Sequence, residues 1–206
     1  MEERNLYASI EPPPLLIVVS GPAGVGKDSL LQRMKELGYP LHFVVTATDR
    51  APRLGEVHGE DYFFLSTEEF LRMKREGELL EHATVYGQHK GIPKQQVRKA
   101  LNSGKDVIMR VDVQGAATVR RIVPEALLIF LIASEEELEG RLRRRGTDSP
   151  EQLTLRLSKA REEIERMEEF DYVVANRECE LDRAVEQVAA IIEAEHCRVD
   201  PRVVQL

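Results

Sequence analysis

The most specific chemistry in this 206-residue chain belongs to a lysine preceded by three spaced glycines. Gly21-Pro22-Ala23-Gly24-Val25-Gly26-Lys27 follows an apolar run, Leu15 to Val19, and precedes Leu30, Leu31, Met34 and Leu37 at helical spacing. A buried strand, a tight glycine loop and a helix in that order form the setting in which such a motif grips phosphate. The glycines open backbone angles closed to other residues and let a ligand approach the main chain. Loop N–H groups and the helix N-terminus then converge on an anion, and Lys27 adds a charge able to reach the β- and γ-phosphates of a nucleotide. A strand–turn–helix whose glycines only make the turn would need neither the lysine nor this spacing.

The strict motif places Ser or Thr after the lysine, for a magnesium ion. Here Asp28 stands there, with Ser29 next. Two roles follow: Asp28 holds Mg²⁺ through its water shell, or it points away while Ser29 meets a phosphate.

Three further groups of side chains suit an anionic partner. Arg50 and Arg53 beside Tyr62 offer two guanidinium forks and a phenol, a cradle for a second phosphate; solvated surface arginines are the plainer alternative. Glu81 and Asp112 are acceptors suited to a base edge rich in N–H donors, as guanine's is, though an ordinary salt-bridged glutamate has the same sequence signature. Arg141, Arg145 and Arg156 flank a Gly-Thr-Asp-Ser turn, where arginines on a closing segment neutralise charge in phosphoryl transfer. Arg143 and Arg144 read more simply as a basic helix face.

The elements that must position these groups alternate along the chain. Strands are expected at 15–19, 41–45, 106–111, 126–133 and 172–175. Helices are expected after the glycine loop to a stop at Gly38, from Pro93 to Asn102, over 113–122, from the Ser134-x-x-Glu137 cap into Arg145, from Ser149-Pro150 onward, and over 181–195. Leu153, Leu157, Ala160, Ile164 and Met167 form a core-facing stripe on the penultimate helix. Between Thr46 and about Lys94 short strand-like pieces (62–65, 84–86) and one helix capped by Ser66-x-x-Glu69 read as an inserted lobe, with Phe70, Leu71 and Met73 inward. Buried strands alternating with helices give an α/β fold, a five-stranded parallel sheet covered on both faces, with ligands outside the carboxyl ends of its strands. Residues 1–14 read as a loose leader and 197–206 as a tail.

Composition narrows the class. A net charge of −7 argues against a general nucleic-acid or membrane binder. Cys179 and Cys197 lack any framework or metal-ligand spacing and are expected to be reduced thiols of a cytoplasmic protein. No apolar run approaches membrane-spanning length.

From about Leu15 to Glu195 the chain resembles the guanylate kinases, P-loop nucleoside monophosphate kinases that move phosphate from ATP to GMP. The loop GPAGVGKDS carries the resemblance together with TATDRAPRLGEVHGEDYFF, GELLEHATVYG, RVDVQGA, RLRRRGTDS and DYVVAN, in that order. The resemblance implies a P-loop NTPase fold over 15–196, with a GMP-binding lobe at about 46–94 and a mobile lid at about 142–155. By it, Gly21 to Ser29 and Asn176 bind ATP with Mg²⁺, Thr46, Glu81 and Asp112 meet the guanine, and Arg50, Arg53 and Tyr62 hold the GMP phosphate. Lys27, Arg141, Arg145 and Arg156 act on the phosphates in transfer.

The chain departs from that family's pattern in three places. Gly87-Gln88-His89-Lys90-Gly91 replaces a segment with two tyrosines, so that Lys90 substitutes charge for a phenol at the phosphate. Ile92 replaces a hydroxyl residue. Arg110 stands where an acidic residue is common, placed to pair with a carboxylate or to touch phosphate. Two rival readings are a related small-molecule kinase, such as one acting on a ribose bisphosphate, and a non-catalytic phosphopeptide-binding module. The first has no use for Glu81 opposite Asp112; the second can dispense with the loop and its lysine.

Overall fold

The computed structural model describes residues 12–53, 55–85, 87–145 and 150–206. Nine strands and seven helices are assigned among them: β1 (Leu16–Ser20), α1 (Lys27–Glu36), β2 (His42–Phe43), β3 (Thr46–Thr48), β4 (Tyr62–Phe64), α2 (Thr67–Arg75), β5 (Leu79–Val85), β6 (Gln88–Pro93), α3 (Lys94–Asn102), β7 (Val107–Arg110), α4 (Val113–Ile122), β8 (Leu127–Ile132), α5 (Glu135–Arg145), α6 (Pro150–Glu165), β9 (Tyr172–Ala175) and α7 (Leu181–His196).

Five strands form one parallel sheet in the order β2-β7-β1-β8-β9. β1 lies at its centre because every one of its residues is buried and can be covered from both faces. Its alternate side chains divide between two cores. Leu15, Ile17 and Val19 join Leu30, Leu31 and Met34 of α1 and Val185 and Val188 of α7. Leu16 and Val18 join Val97 and Leu101 of α3 and Ala116 and Val119 of α4. Leu157, Ala160 and Ile164 of α6 pack on the first core, as the stripe predicts.

Register aligns the business ends. Val19 of β1 pairs with Arg110 of β7, and Ser20 pairs with Phe130 of β8. The glycine loop therefore leaves the sheet between the ends of β7 and β8, where the strand order reverses direction.

The inserted lobe carries its own sheet, β4-β3-β6-β5, in which β5 and β6 form an antiparallel hairpin. Its core is small: Ala47, Phe70 and Leu79 are buried, with Phe63, Leu65 and Met73 packed around them. The capping box at Ser66 and Glu69 forms as expected. β2 is shorter than the expected 41–45, and its chain passes into β3 after Gln96 clips both polar groups of the Val45 backbone. Pro93 ends β6 and caps α3 instead of opening it.

Residues 197–206 have no regular structure but lie against the body. Val204 and Leu206 pack on the second core, and Arg202 reaches the buried Glu195 at 2.7 Å. No described helix is long and apolar enough to cross a membrane.

Candidate active site

The loop after β1 is shaped by contacts that leave no room for side chains. Gly21, Gly24 and Gly26 have φ of +135°, +85° and +98°. A Cβ on Gly21 would fall 2.3 Å from the Leu131 carbonyl oxygen, and one on Gly26 2.4 Å from Asn176 Nδ2. Gly26 is also the N-cap of α1, so no side chain covers that helix's first N–H groups. Lys27 folds back over the loop, its ammonium donating to the Gly21 carbonyl and to the Pro22 carbonyl at 3.2 Å.

Behind the loop stand two residues expected at the donor nucleotide. Asn176, buried at the end of β9, donates to the Val25 carbonyl at 2.7 Å. Arg141 of α5 donates to the same carbonyl at 3.1 Å and to the Asn176 carbonyl at 2.8 Å. Both brace the loop from outside. Arg156 lies half-buried in α6, and the side chain of Arg145 and the turn 146–149 of the expected lid lie outside the described residues. Sequence reasoning passed over Glu163, also on α6. Burial raises its pKa, while the Lys27 ammonium and the Ala23 N–H draw it back, so it lies close to the loop.

The second phosphate cradle is assembled on the lobe. Tyr62 opens β4, and its ring is flanked by the Arg50 guanidinium at 4.8 Å and the Lys90 ammonium at 5.9 Å from the centroid. Phe64 lies 5.4 Å from the same guanidinium. Glu56 takes both terminal nitrogens of Arg50, at 2.6 and 2.5 Å, and the Arg53 N–H at 2.7 Å. The guanidinium and that N–H pull the Glu56 carboxyl down to about 2. The side chain of Arg53 is exposed. His89 is held beside Lys90 by Asp49, which accepts its N–H at 2.7 Å and faces its ring at 2.6 Å. Neither Glu56 nor Asp49 carries a motif; each is recognisable only once the turn that folds it back is known.

Glu81 and Asp112 come together as anticipated. Glu81, on β5, is buried, and its carboxyl rests on Gly115, where a Cβ would come within 3.0 Å of it. Burial, and then the charge of Asp112, push its pKa up to about 7. Asp112 caps α4 by accepting the Gly115 N–H at 2.7 Å. Thr46, the other expected base contact, opens β3 opposite Tyr62 and is half-buried.

Of the two donors expected at the magnesium position, Ser29 is exposed in the first turn of α1. Asp28 is ion-paired with Arg110. Among the described residues no group of three or more His, Cys, Asp or Glu is placed to hold a metal ion. With its carboxylate held by Arg110, Asp28 does not fit a ligand to an ion.

Comparison with known proteins agrees with this geometry. The family model described as guanylate kinase matches residues 14–195. A rice protein named "Guanylate kinase 2, chloroplastic/mitochondrial" is 53% identical over 197 residues, 95% of this chain and 69% of that one. A guanylate kinase of Caldanaerobacter subterraneus subsp. tengcongensis is 46% identical over 193 residues, covering 93% of each chain. The crystal structure of guanylate kinase from Anaplasma phagocytophilum superposes with a TM-score of 0.71 at 31% identity, over 91% of this chain and 89% of that one. With a family match across nearly the whole fold and relatives of this identity over nearly their full length, this chain belongs to the guanylate kinase family.

Proposed function

We propose that the protein transfers the γ-phosphate of ATP to GMP, giving ADP and GDP. The loop 21–27 and the N-terminus of α1 take the donor's phosphates, with Lys27 released from the loop carbonyls to follow them. Arg50, Tyr62 and Lys90, with Arg53 swinging in from solvent, hold the acceptor's phosphate. An oxygen of that phosphate attacks the γ-phosphorus, the bond to the bridging oxygen breaks, and ADP leaves. Arg141, Arg145 and Arg156 neutralise the charge that develops. Nothing in this scheme bonds covalently to the protein; positioning, charge neutralisation and exclusion of water carry the rate. Magnesium enters with ATP, and no step depends on a bond between it and the protein.

The acceptor's identity rests chiefly on one observation: a buried carboxyl, Glu81, set beside Asp112 behind a cationic cradle. Ionised, it accepts the ring N–H and exocyclic amino group of guanine, donors that adenine does not present together. Coupled measurement of ADP formation against a panel of nucleoside monophosphates is the test. GMP is expected to head the panel. Turnover of a sugar phosphate with none of a nucleotide would favour the rival kinase, and binding of a phosphopeptide without ATP turnover would favour the silent module.

A further inference from the structure

Asp28, which departs from the strict loop motif, and Arg110, which departs from the family's pattern, touch one another. Asp28 lies in the first turn of α1, and Arg110 is the last residue of β7, paired in register with Val19 just before the loop. The pair bridges the two elements that flank the mouth of the phosphate loop. It also opens onto a cavity of about 580 Å³, within the range of small-ligand sites. Asp28, Ser29 and Arg110 line its core side, Val45 lies where the chain leaves the sheet, and Gly59 and Asp61 line its lobe side.

That lobe wall is joined through the chain to the cradle on β4. Asp61 precedes Tyr62, and the Gly59 N–H donates to the Tyr62 carbonyl at 2.9 Å. Lys27, one residue before Asp28, turns the other way, onto the carbonyls of the loop. The two cations thus serve different sides of the first turn of α1. Asp28 meets Arg110 at Nε, the inner nitrogen of the guanidinium. The two terminal nitrogens carry the fork's remaining four N–H groups, a geometry that matches a phosphate. An arginine held by its inner nitrogen is fixed in rotamer and still presents a fork.

We propose that Arg110 is a ligand for the acceptor's phosphate, added to the cradle from the core side, and that Asp28 is the positioning residue that aims it. Arg110 and Arg50 then approach the phosphate from the core and from the lobe, so that a bound acceptor draws the two together. Asp28 serves the phosphate indirectly, by fixing a cation. This inference rests on the GMP reading above, and wild-type turnover separates the two: no GMP turnover in wild type sinks that reading, whereas turnover indifferent to Arg110 sinks only this one.

The test is steady-state kinetics and calorimetry on the full chain. Arg110→Gln should raise KM for GMP about 10- to 100-fold, the worth of a charge-assisted contact, and leave the Kd of ATP unchanged. Undisturbed ATP binding also shows that the variant folds. Asp28→Asn should move KM for GMP in the same direction by a smaller factor, and Arg110→Gln/Asp28→Asn should match Arg110→Gln alone, because an unfixed arginine has value only while it is present. Arg110→Lys should recover part of the loss. A lowered melting temperature with KM for GMP unchanged would make the pair a structural brace, and a shift confined to ATP would move Arg110 to the donor side. Either result overturns the proposal.

Discussion

The two phosphate sites proposed for this molecule are built from different materials. In that scheme the glycine loop meets its anion with main-chain amides and Lys27, and side chains such as Asn176 and Arg141 stand behind them as props. On the lobe the proposed cradle is made of side chains, Arg50, Tyr62 and Lys90, and Arg50 is aimed by Glu56. The supports differ as sharply. The loop grows from a central strand between two extensive cores, whereas the lobe's own core has three buried apolar residues, with Leu80 and Ile92 anchoring its hairpin in the second core. With each fully buried aliphatic side chain contributing about 1.5–3 kcal/mol, the lobe has much less holding its shape. The donor and acceptor sites proposed above are thus separated by architecture, one on the extensive cores and the other on the smaller lobe.

The largest predicted effect comes from breaking the rigid site. Gly21→Ala puts a methyl 2.3 Å from a backbone oxygen of β8, at a φ of +135° that alanine resists. Backbone cannot yield as a side-chain tip can. Stability should fall by about 3 kcal/mol or more, and ATP binding should disappear in whatever folds. Urea denaturation with calorimetry of ATP binding measures both. If the variant binds ATP normally, the loop is no more rigid than the lobe and the contrast drawn here is lost.

A smaller and more selective effect is expected at Glu81, whose titration sharpens the comparison because its carboxyl is proposed to meet the acceptor alone. The carboxyl titrates near 7 in the folded protein against an ordinary 4.5, so the folded state holds its proton more tightly than the unfolded chain does. Unliganded protein therefore loses stability as pH rises from about 4.5 through 7. GMP reverses the sign, because only the ionised carboxylate accepts two N–H groups. Below pH 7, kcat/KM for GMP should fall by about tenfold per pH unit, with one proton released on binding at pH 6, while the affinity for ATP stays level. The acceptor's own phosphate titrates near pH 6 as well. Glu81→Gln is the control: it should weaken GMP about 100-fold and leave only the phosphate's share of the pH dependence. A pH profile unchanged in that variant would remove Glu81 from the base pocket.

Much of the rigid half was legible in the sequence, and less of the soft half. The strand–loop–helix at 15–37, the caps at Ser66 and Ser134, and the parallel strands at 106–111, 126–133 and 172–175 all declare themselves through short-range signals, burial runs and capping pairs. Strand order does not, since β2 and β7 become neighbours across the whole lobe and α3. In the lobe, β3 and most of the β5–β6 hairpin went unread: Thr46–Thr48 is too short for a periodic signal, and Gln88–Pro93 carries a glycine and a proline. The residues proposed for the site carry motifs in the sequence, and those that orient them do not. Glu56 lies six residues from Arg50, a spacing that means nothing in a helix or strand and becomes a bidentate pair only through an irregular turn. The terminal segment looked unattached because Arg202 finds its partners, Glu195 and Asp171, across the fold.

Glu56 also supplies the smallest and most discriminating effect. Glu56→Gln keeps the shape of the turn and removes the charge that aims Arg50. The guanidinium still lies against the rings of Tyr62 and Phe64, so it is loosened and not lost. KM for GMP should rise about three- to tenfold, with kcat and the affinity for ATP little changed. Its pH behaviour separates it from Glu81. A carboxyl depressed to about 2 contributes above its ordinary range and loses that contribution only as pH falls through 2, so the variant's profile between pH 5 and 9 should run parallel to that of the wild type. An equal loss of GMP and ATP affinity would mean that a disturbance in the lobe reaches the loop. The two sites would then be one mechanical unit, and their different construction would have no functional consequence.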